Sequence, residues 1–265
     1  MPNPDEQRAA AALIRVAETL SLGAEDIAAL HSYDDADVSV GEALQVAVIN
    51  RWRERGEQPG AWKIAWTSRA ARDSGGAGYR PFGYIRQSRV FASGATVTLD
   101  ATPAIALEPE ICLVIGTELG GAEVTRDEAR NAVRAVAPAF EIISRRLPTG
   151  LSRAVQVGDA MGNWGLVVGP EHASDLALDR LPVQVSRDGE VISAGTSEPD
   201  ILDDPFLSLA RACAIFAAHG LSLSPGQRVI TGSILDRIPA RPGESFTATF
   251  GELGTVSASL AGADQ

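Results

Sequence analysis

The sequence predicts an α+β fold, with a helical N-terminal segment over residues 1–60 and a β-rich core over 61–265. Three observations lead there. Apolar residues recur at helical spacing as far as Arg55, and the pattern changes to short β-like runs after Pro59-Gly60. Too few helices then interrupt the strands for a doubly wound parallel sheet.

In chain order, Asp5 to Leu22 is an Ala-rich amphipathic stretch with Leu13, Val16, Ala17 and Leu20 on one face, and Gly23 reads as its stop. A second helix fits Ala24 to His31, and a third fits Ser39 to Arg55. The basic end of the third, Arg51, Arg53 and Arg55, suits the negative pole of a helix dipole. Strands are expected over Trp62–Thr67, Thr96–Leu99 and Ile105–Ile115. A capping box, Thr125-x-x-Glu128, opens a helix to Val136. Further strands fit Ala139–Ile143 and Gly165–Val168. The Asp188-Gly189 step predicts a hairpin between Val183–Ser186 and Glu190–Ser193. Asp203-Asp204 reads as the cap of a helix over Pro205–Ala218, and strands at Phe246–Phe250 and Thr255–Leu260 close the chain.

The 265 residues are 45% hydrophobic and 22% charged, an ordinary globular balance. The net charge is −11, and 11 acidic against 5 basic residues in 1–60 supply more than half of it. Such a surface repels phosphate backbones, which argues against a nucleic-acid partner. No apolar run approaches the roughly 20 residues that span a bilayer, and the acidic opening Met1 to Glu6 has no secretory core behind it. A cytoplasmic protein is therefore expected, with no membrane partner. Cys112 and Cys213 form no CxxC, so zinc and disulfide frameworks are excluded.

Of the 23 basic residues only Lys63 is a lysine. Chance in an arginine-biased chain accounts for that as well as a site needing a compact ammonium does. Glu108-Pro109-Glu110 sits inside the apolar run Ile105 to Ile115. In a strand its two carboxylates share one face, roughly 6.5–7 Å apart, where they repel each other and lose hydration together. A solvated face would explain them, but the apolar flanks favour a divalent cation. Glu141, inside Ala137 to Ile143, is a third embedded carboxylate, although a salt bridge to Arg145 or Arg146 would explain it equally well. Together the three make an all-oxygen set suited to Mg2+ or Mn2+. His31, His172 and His219 are scattered and poor catalytic candidates.

The order of these features resembles the 2-keto-4-pentenoate hydratase group of the fumarylacetoacetate hydrolase superfamily over nearly the whole chain. Lys63-Ile64-Ala65-Trp66-Thr67-Ser68 is similar to its lysine strand, Phe82-Gly83 to its Phe-Gly, and Glu108-x-Glu110 and Pro138-Ala139-x-Glu141 to its metal segments. Asp159 falls on the aspartate of its next loop, Thr231-Gly232-Ser233 on its late turn, and Phe250 to Val256 on its terminal motif. The resemblance implies a mixed β-roll core, a homo-oligomer and a small 2-oxo or 2-hydroxydienoic acid substrate from aromatic catabolism. It further implies Mg2+ or Mn2+ on Glu108, Glu110 and Glu141, Lys63 and Asp159 as catalytic groups, and Ser68, Phe82, Thr231 and Ser233 as substrate contacts.

Departures are Ala65 for a glycine, Pro81 for an acidic residue, Ala160 for the asparagine of an Asp-Asn pair, and Asp203-Asp204-Pro205-Phe206 for Gly-His-Pro-Leu. The expected activity is hydration of a 2-hydroxy-2,4-dienoate to a 4-hydroxy-2-oxo acid. Alternatives are a 2-oxo acid decarboxylase of the 4-oxalocrotonate type, a C–C hydrolase, and a non-catalytic metal-binding partner subunit.

Overall fold

Three helices open the chain in the computed structural model, which describes residues 3–75, 78–99 and 104–262: α1 (Pro4–Thr19), α2 (Ala24–His31) and α3 (Val38–Glu54). Asn3 caps α1, its side-chain oxygen accepting from the Asp5 N–H at 3.0 Å. The helix stops earlier than its periodicity suggests, because Leu20 adopts the left-handed conformation (φ 56°) and its N–H closes onto the Val16 carbonyl. Gly23 instead begins α2, donating its N–H to the Asp26 carboxylate at 2.9 Å.

Then come β1 (Pro59–Ile64), α4 (Arg69–Gly75), β2 (Phe82–Arg86), β3 (Val90–Ala92), β4 (Ala95–Leu99) and β5 (Ile105–Ile115). After them lie α5 (Arg126–Ala132), β6 (Val133–Ser144), α6 (Arg153–Gly158), β7 (Asn163–Val168), β8 (His172–Ala173), β9 (Pro182–Arg187) and β10 (Glu190–Thr196). The chain closes with α7 (Pro205–Ala218), β11 (Arg228–Ser233), β12 (Ile238–Ala240), β13 (Ser245–Phe250) and β14 (Thr255–Gly262).

The Thr125 capping box forms as read, but α5 ends at Ala132 rather than Val136. From Val133 onward every residue of β6 except Arg134 is buried, a pattern that suits a strand covered on both faces better than a helix.

The strands make two mixed sheets. Nine belong to the larger, in the order β2-β1-β11-β5-β6-β7-β3, with β12 paired to β5 and β8 to β6. The smaller runs β10-β9-β13-β14-β4. One hydrophobic cluster extends from Leu13 and Leu44 in the N-terminal helices through Phe140 and Val167 to Phe246 and Val256, so the helical segment shares its core with both sheets. The other face of the larger sheet carries a small cluster that includes Ala61, Cys112, Ala137, Ala139 and Ile230. Alternation along each strand then brings charged residues onto that same face: Lys63 two residues after Ala61, Glu110 and Glu108 before Cys112, and Glu141 after Ala139.

Candidate active site

β5 and β6 pair antiparallel with Glu108 directly opposite Glu141 and Glu110 opposite Ala139. Directly opposed residues share a face with their Cβ atoms roughly 5 Å apart. The three glutamates each bring a carboxylate oxygen to within 4.8 Å of the others. Glu110 and Glu141 are buried and Glu108 is nearly so.

Their partners are unequal. Arg237 donates from Nε to Glu108 at 2.9 Å, and the Gly232 N–H donates to Glu110 at 2.6 Å. Gly232 has a φ of 104°, and a Cβ there would lie 2.0 Å from the Thr67 hydroxyl, so no other residue fits this donor's position without displacing Thr67. The Oε1 of Glu141 accepts from Lys63 Nζ at 2.5 Å and from the Asn163 amide at 2.8 Å. Glu141 Oε2 is buried without a partner. A buried carboxylate oxygen is seldom left unsatisfied, and this one stands beside two more carboxylates. That donor set fits a hard divalent cation.

The electrostatics agree. Burial raises the Glu110 carboxyl well above the ordinary carboxylate range, with Glu141 and Glu108 adding like-charge repulsion. Burial and Glu141 push Glu108 in the same direction. Burial alone would lower the Lys63 ammonium, but the negative charges of Glu141, Glu108 and Glu110 outweigh it and hold its pKa above 10.5. Gly83 lies opposite Lys63 in the β1–β2 pair, and a Cβ there would come 2.6 Å from Lys63 Cγ. The lysine stem therefore runs over a bare backbone.

A cavity of about 600 Å³ opens on this cluster. Asp159 lies in its wall, buried, and accepts from Arg146 at 2.9 Å. Burial raises its carboxyl to about 6 against the pull of that guanidinium. Arg146 also donates to the Asn163 carbonyl, so Asp159, Arg146, Asn163, Glu141 and Lys63 form one connected polar chain. Trp66, held at φ 59° in a conformation unusual for a bulky side chain, is also in the wall. Tyr79 packs against it, and Arg153 sits 5.6 Å from its ring centroid.

Among the expected site residues, Lys63, Ser68, Glu108, Glu110, Glu141, Asp159 and Ser233 all border the cavity. Phe82 and Thr231 do not, and their expected placement as substrate contacts is corrected here. Phe82 precedes Gly83 and so turns to the opposite face, where it packs fully buried against Trp62 and Phe216. Thr231 comes after Ile230 and likewise turns inward, donating to the Ile111 carbonyl at 3.2 Å. The partner of Glu141 is Lys63, not Arg145 or Arg146. Asn163 supplies an amide near the cluster even though residue 160 is alanine. Nothing in the linear spacing marks Asn163 or Arg237, which arrive from β7 and from the turn after β11.

The profile of the fumarylacetoacetate (FAA) hydrolase C-terminal family matches residues 66–261. A 4-oxalocrotonate decarboxylase from a Pseudomonas species is 33% identical over 86% of this chain and 90% of its own. A 2-hydroxyhexa-2,4-dienoate hydratase from Comamonas testosteroni is 27% identical over 83% and 86%. The solved 4-oxalocrotonate decarboxylase from Pseudomonas putida G7, complexed with calcium and acetate, superposes with a TM-score of 0.85 at 20% identity over 98% of both chains. A second structure of that enzyme, complexed with magnesium and adipate, superposes with a TM-score of 0.82 at 22% identity. The matched span runs from Trp66 to Ala261 in β14 and takes in all three glutamates, and on that ground the chain belongs to the fumarylacetoacetate hydrolase family, among relatives named as hydratases and decarboxylases.

Proposed function

We propose that this protein is a divalent-metal-dependent hydratase that converts a 2-hydroxy-2,4-dienoate into a 4-hydroxy-2-oxo acid. The observation that carries the reading is the convergence of Glu108, Glu110 and Glu141, with the Glu141 Oε2 atom unpartnered, at the floor of a cavity that also holds Lys63 and Asp159. Glu108, Glu110 and Glu141 would hold Mg2+ or Mn2+, which when bound would supply Lewis-acid stabilisation of the negative charge on such a substrate.

The chain's own residues do the rest. The Lys63 ammonium donates a hydrogen bond toward the 2-oxygen, where negative charge grows as the 2-hydroxyl gives up its proton. Its charge is secured by Glu141, so it remains a donor across the neutral range. A proton added at C5 completes the 2-oxo-3-enoate, and water then adds its oxygen at C4 and a proton at C3. Asp159, with a carboxyl near 6, is matched to carrying such protons near neutral pH. Ser68 and Ser233 orient substrate oxygens.

A second reading, decarboxylation of a 2-oxo diacid, is favoured by the 33% identity to a 4-oxalocrotonate decarboxylase. Incubation with 2-hydroxypenta-2,4-dienoate and with 2-hydroxymuconate, each with and without Mg2+, separates the readings. Metal-dependent loss of the dienol absorbance without CO2 supports the hydratase, and CO2 release supports the decarboxylase. No turnover of either acid contradicts both and leaves a metal-binding partner subunit. Lys63→Arg is expected to abolish turnover with the fold intact, since a planar guanidinium cannot replace a point donor packed on Gly83. We also propose a homo-oligomer, which a light-scattering mass of one 27.7 kDa chain would contradict.

A further inference from the structure

Directly after Asp159 the chain takes three left-handed residues in a row, Ala160 (φ 50°), Met161 (φ 54°) and Gly162 (φ 78°). Two of these are not glycine, and such residues stay in that region only where their surroundings hold them there. The helix that delivers Asp159, α6, has only six residues, too few to be stable alone. It leans on α3, where Gly41 leaves room for the Ala154 carbonyl that a Cβ would meet at 2.2 Å.

Four residues on from Gly41 along α3 stands Gln45, which is fully buried. Its Nε2 donates to the Val157 carbonyl at 2.8 Å, two residues before Asp159. The same nitrogen donates to the Phe82 carbonyl at 2.9 Å, and Oε1 accepts from the Tyr84 N–H at 3.0 Å. Those two backbone groups flank Gly83 in β2, an edge strand of the larger sheet, and the carboxamide takes the place of a neighbouring strand there. Both amide hydrogens and the amide oxygen are engaged.

Gly83 is the point where Lys63 and the turn after Asp159 converge. A Cβ there would come 2.6 Å from Lys63 Cγ and 3.2 Å from the Ala160 carbonyl. The polar chain through Arg146, Asn163 and Glu141 joins Lys63 and Asp159 at their charged ends, whereas Gln45 joins them at the backbone. We propose that Gln45 is a positioning residue for the reaction, setting the spacing between Lys63 and Asp159 from outside the cavity. This rests on the reading of Lys63 as donor and Asp159 as proton carrier, and it holds whichever of the two dienols is consumed. Its effect is geometric, and an error of about 1 Å between reacting groups can cost about 100-fold in rate.

Gln45→Met fills a similar space and removes all three hydrogen bonds. It is tested by Mn2+ titration and by kinetics on whichever dienol the wild type consumes. The variant is expected to bind one Mn2+ per chain as the wild type does, because the three glutamates lie on β5 and β6. It should lose about 10- to 100-fold in kcat with KM within about threefold. In an Asp159→Asn background the same substitution should cost under about threefold, since no spacing is left to set. A purely structural role would cost the same factor in both backgrounds. Gln45→Glu, whose protonated carboxyl can accept from Tyr84 and donate to one carbonyl, should keep more activity than Gln45→Met. A kcat within threefold of wild type in Gln45→Met, a loss carried by KM, equal losses in both backgrounds, or Mn2+ binding abolished in both Gln45 variants overturns the proposal. Failure of the parent reading looks different: the wild type itself then consumes neither dienol, and the proposal falls with it.

Discussion

At the scale of single residues, the site is a set of buried charges whose lost hydration costs the fold stability. Glu110 shows the sign most clearly. Its carboxyl is raised by burial and then by Glu141 and Glu108, so its contribution to stability is full below the ordinary carboxylate pKa and is lost as pH rises through its elevated one. Glu110→Gln is therefore expected to raise the Tm of the metal-free protein at pH 7, by about 2–4 °C per kcal/mol recovered, while abolishing the Tm gain that Mg2+ gives. Differential scanning calorimetry with EDTA and with Mg2+ reads both effects, and a lower metal-free Tm would contradict the argument.

Asp159 obeys the same sign. Its carboxyl stands at about 6 against an ordinary 3.8, because burial outweighs the pull of Arg146. Stability from this group is complete below about 3.8 and gone above 6. Asp159→Asn, which keeps an acceptor for Arg146, should thus gain stability relative to wild type as pH rises from 4 to 7. A Tm difference that stays flat with pH would refute it.

At the scale of elements, strand alternation converts sequence neighbours into a site. The apolar flanks of Glu108, Glu110 and Glu141 make their burial legible in sequence, because a strand covered on both faces holds a carboxylate only where a cation or a donor compensates its lost hydration. Phe82 and Thr231 depart from their expected role because the motif around each is one residue wide of the face that matters. A one-residue step along a strand exchanges cavity for core. The early start of β6 is not legible either, since Val133 to Val136 fits a helix face until the facing β5 is present. Packing between β1 and β2 yields a further expectation. Gly83→Ala would press on Lys63 Cγ from 2.6 Å and should lower kcat/KM at least about tenfold with little change in secondary structure. Unchanged kinetics would show that the lysine stem can move aside.

Asp203 joins other elements. It accepts from Arg80 at 2.6 Å, from Arg72 of α4 at 2.9 Å and from Arg211 of α7 at 3.1 Å. Burial raises its pKa, but the hydrogen bonds from Arg80 and Ser208 and the surrounding guanidiniums more than reverse this and hold it below 3.8. Its contribution is therefore present at neutral pH and is lost only as pH falls below that range. Asp203→Asn leaves the fully buried Arg80 without its counter-charge. It is expected to cost about 3–5 kcal/mol, a Tm drop on the order of 10 °C, read by thermal unfolding at pH 7. A loss under about 1 kcal/mol would contradict the clamp. Asp204 is simply the cap of α7 that the sequence suggests, accepting from the Phe206 and Leu207 N–H groups.

At the scale of the whole molecule, the larger sheet is a two-sided device. One face closes the common core with the N-terminal helices and the smaller sheet, and the other carries a small apolar cluster together with three carboxylates and a lysine. The α+β class and the order of most elements are readable from periodicity and turn signals. Asn163, which completes the polar chain, and Arg237, which pairs with Glu108, come from distant segments and leave no local mark. Calorimetric titration of Mn2+ into the EDTA-stripped, dialysed protein tests the central claim most directly. One ion per chain, lost in Glu110→Gln and in Glu141→Gln, is the predicted result. Binding of the same stoichiometry and affinity in both variants would contradict it.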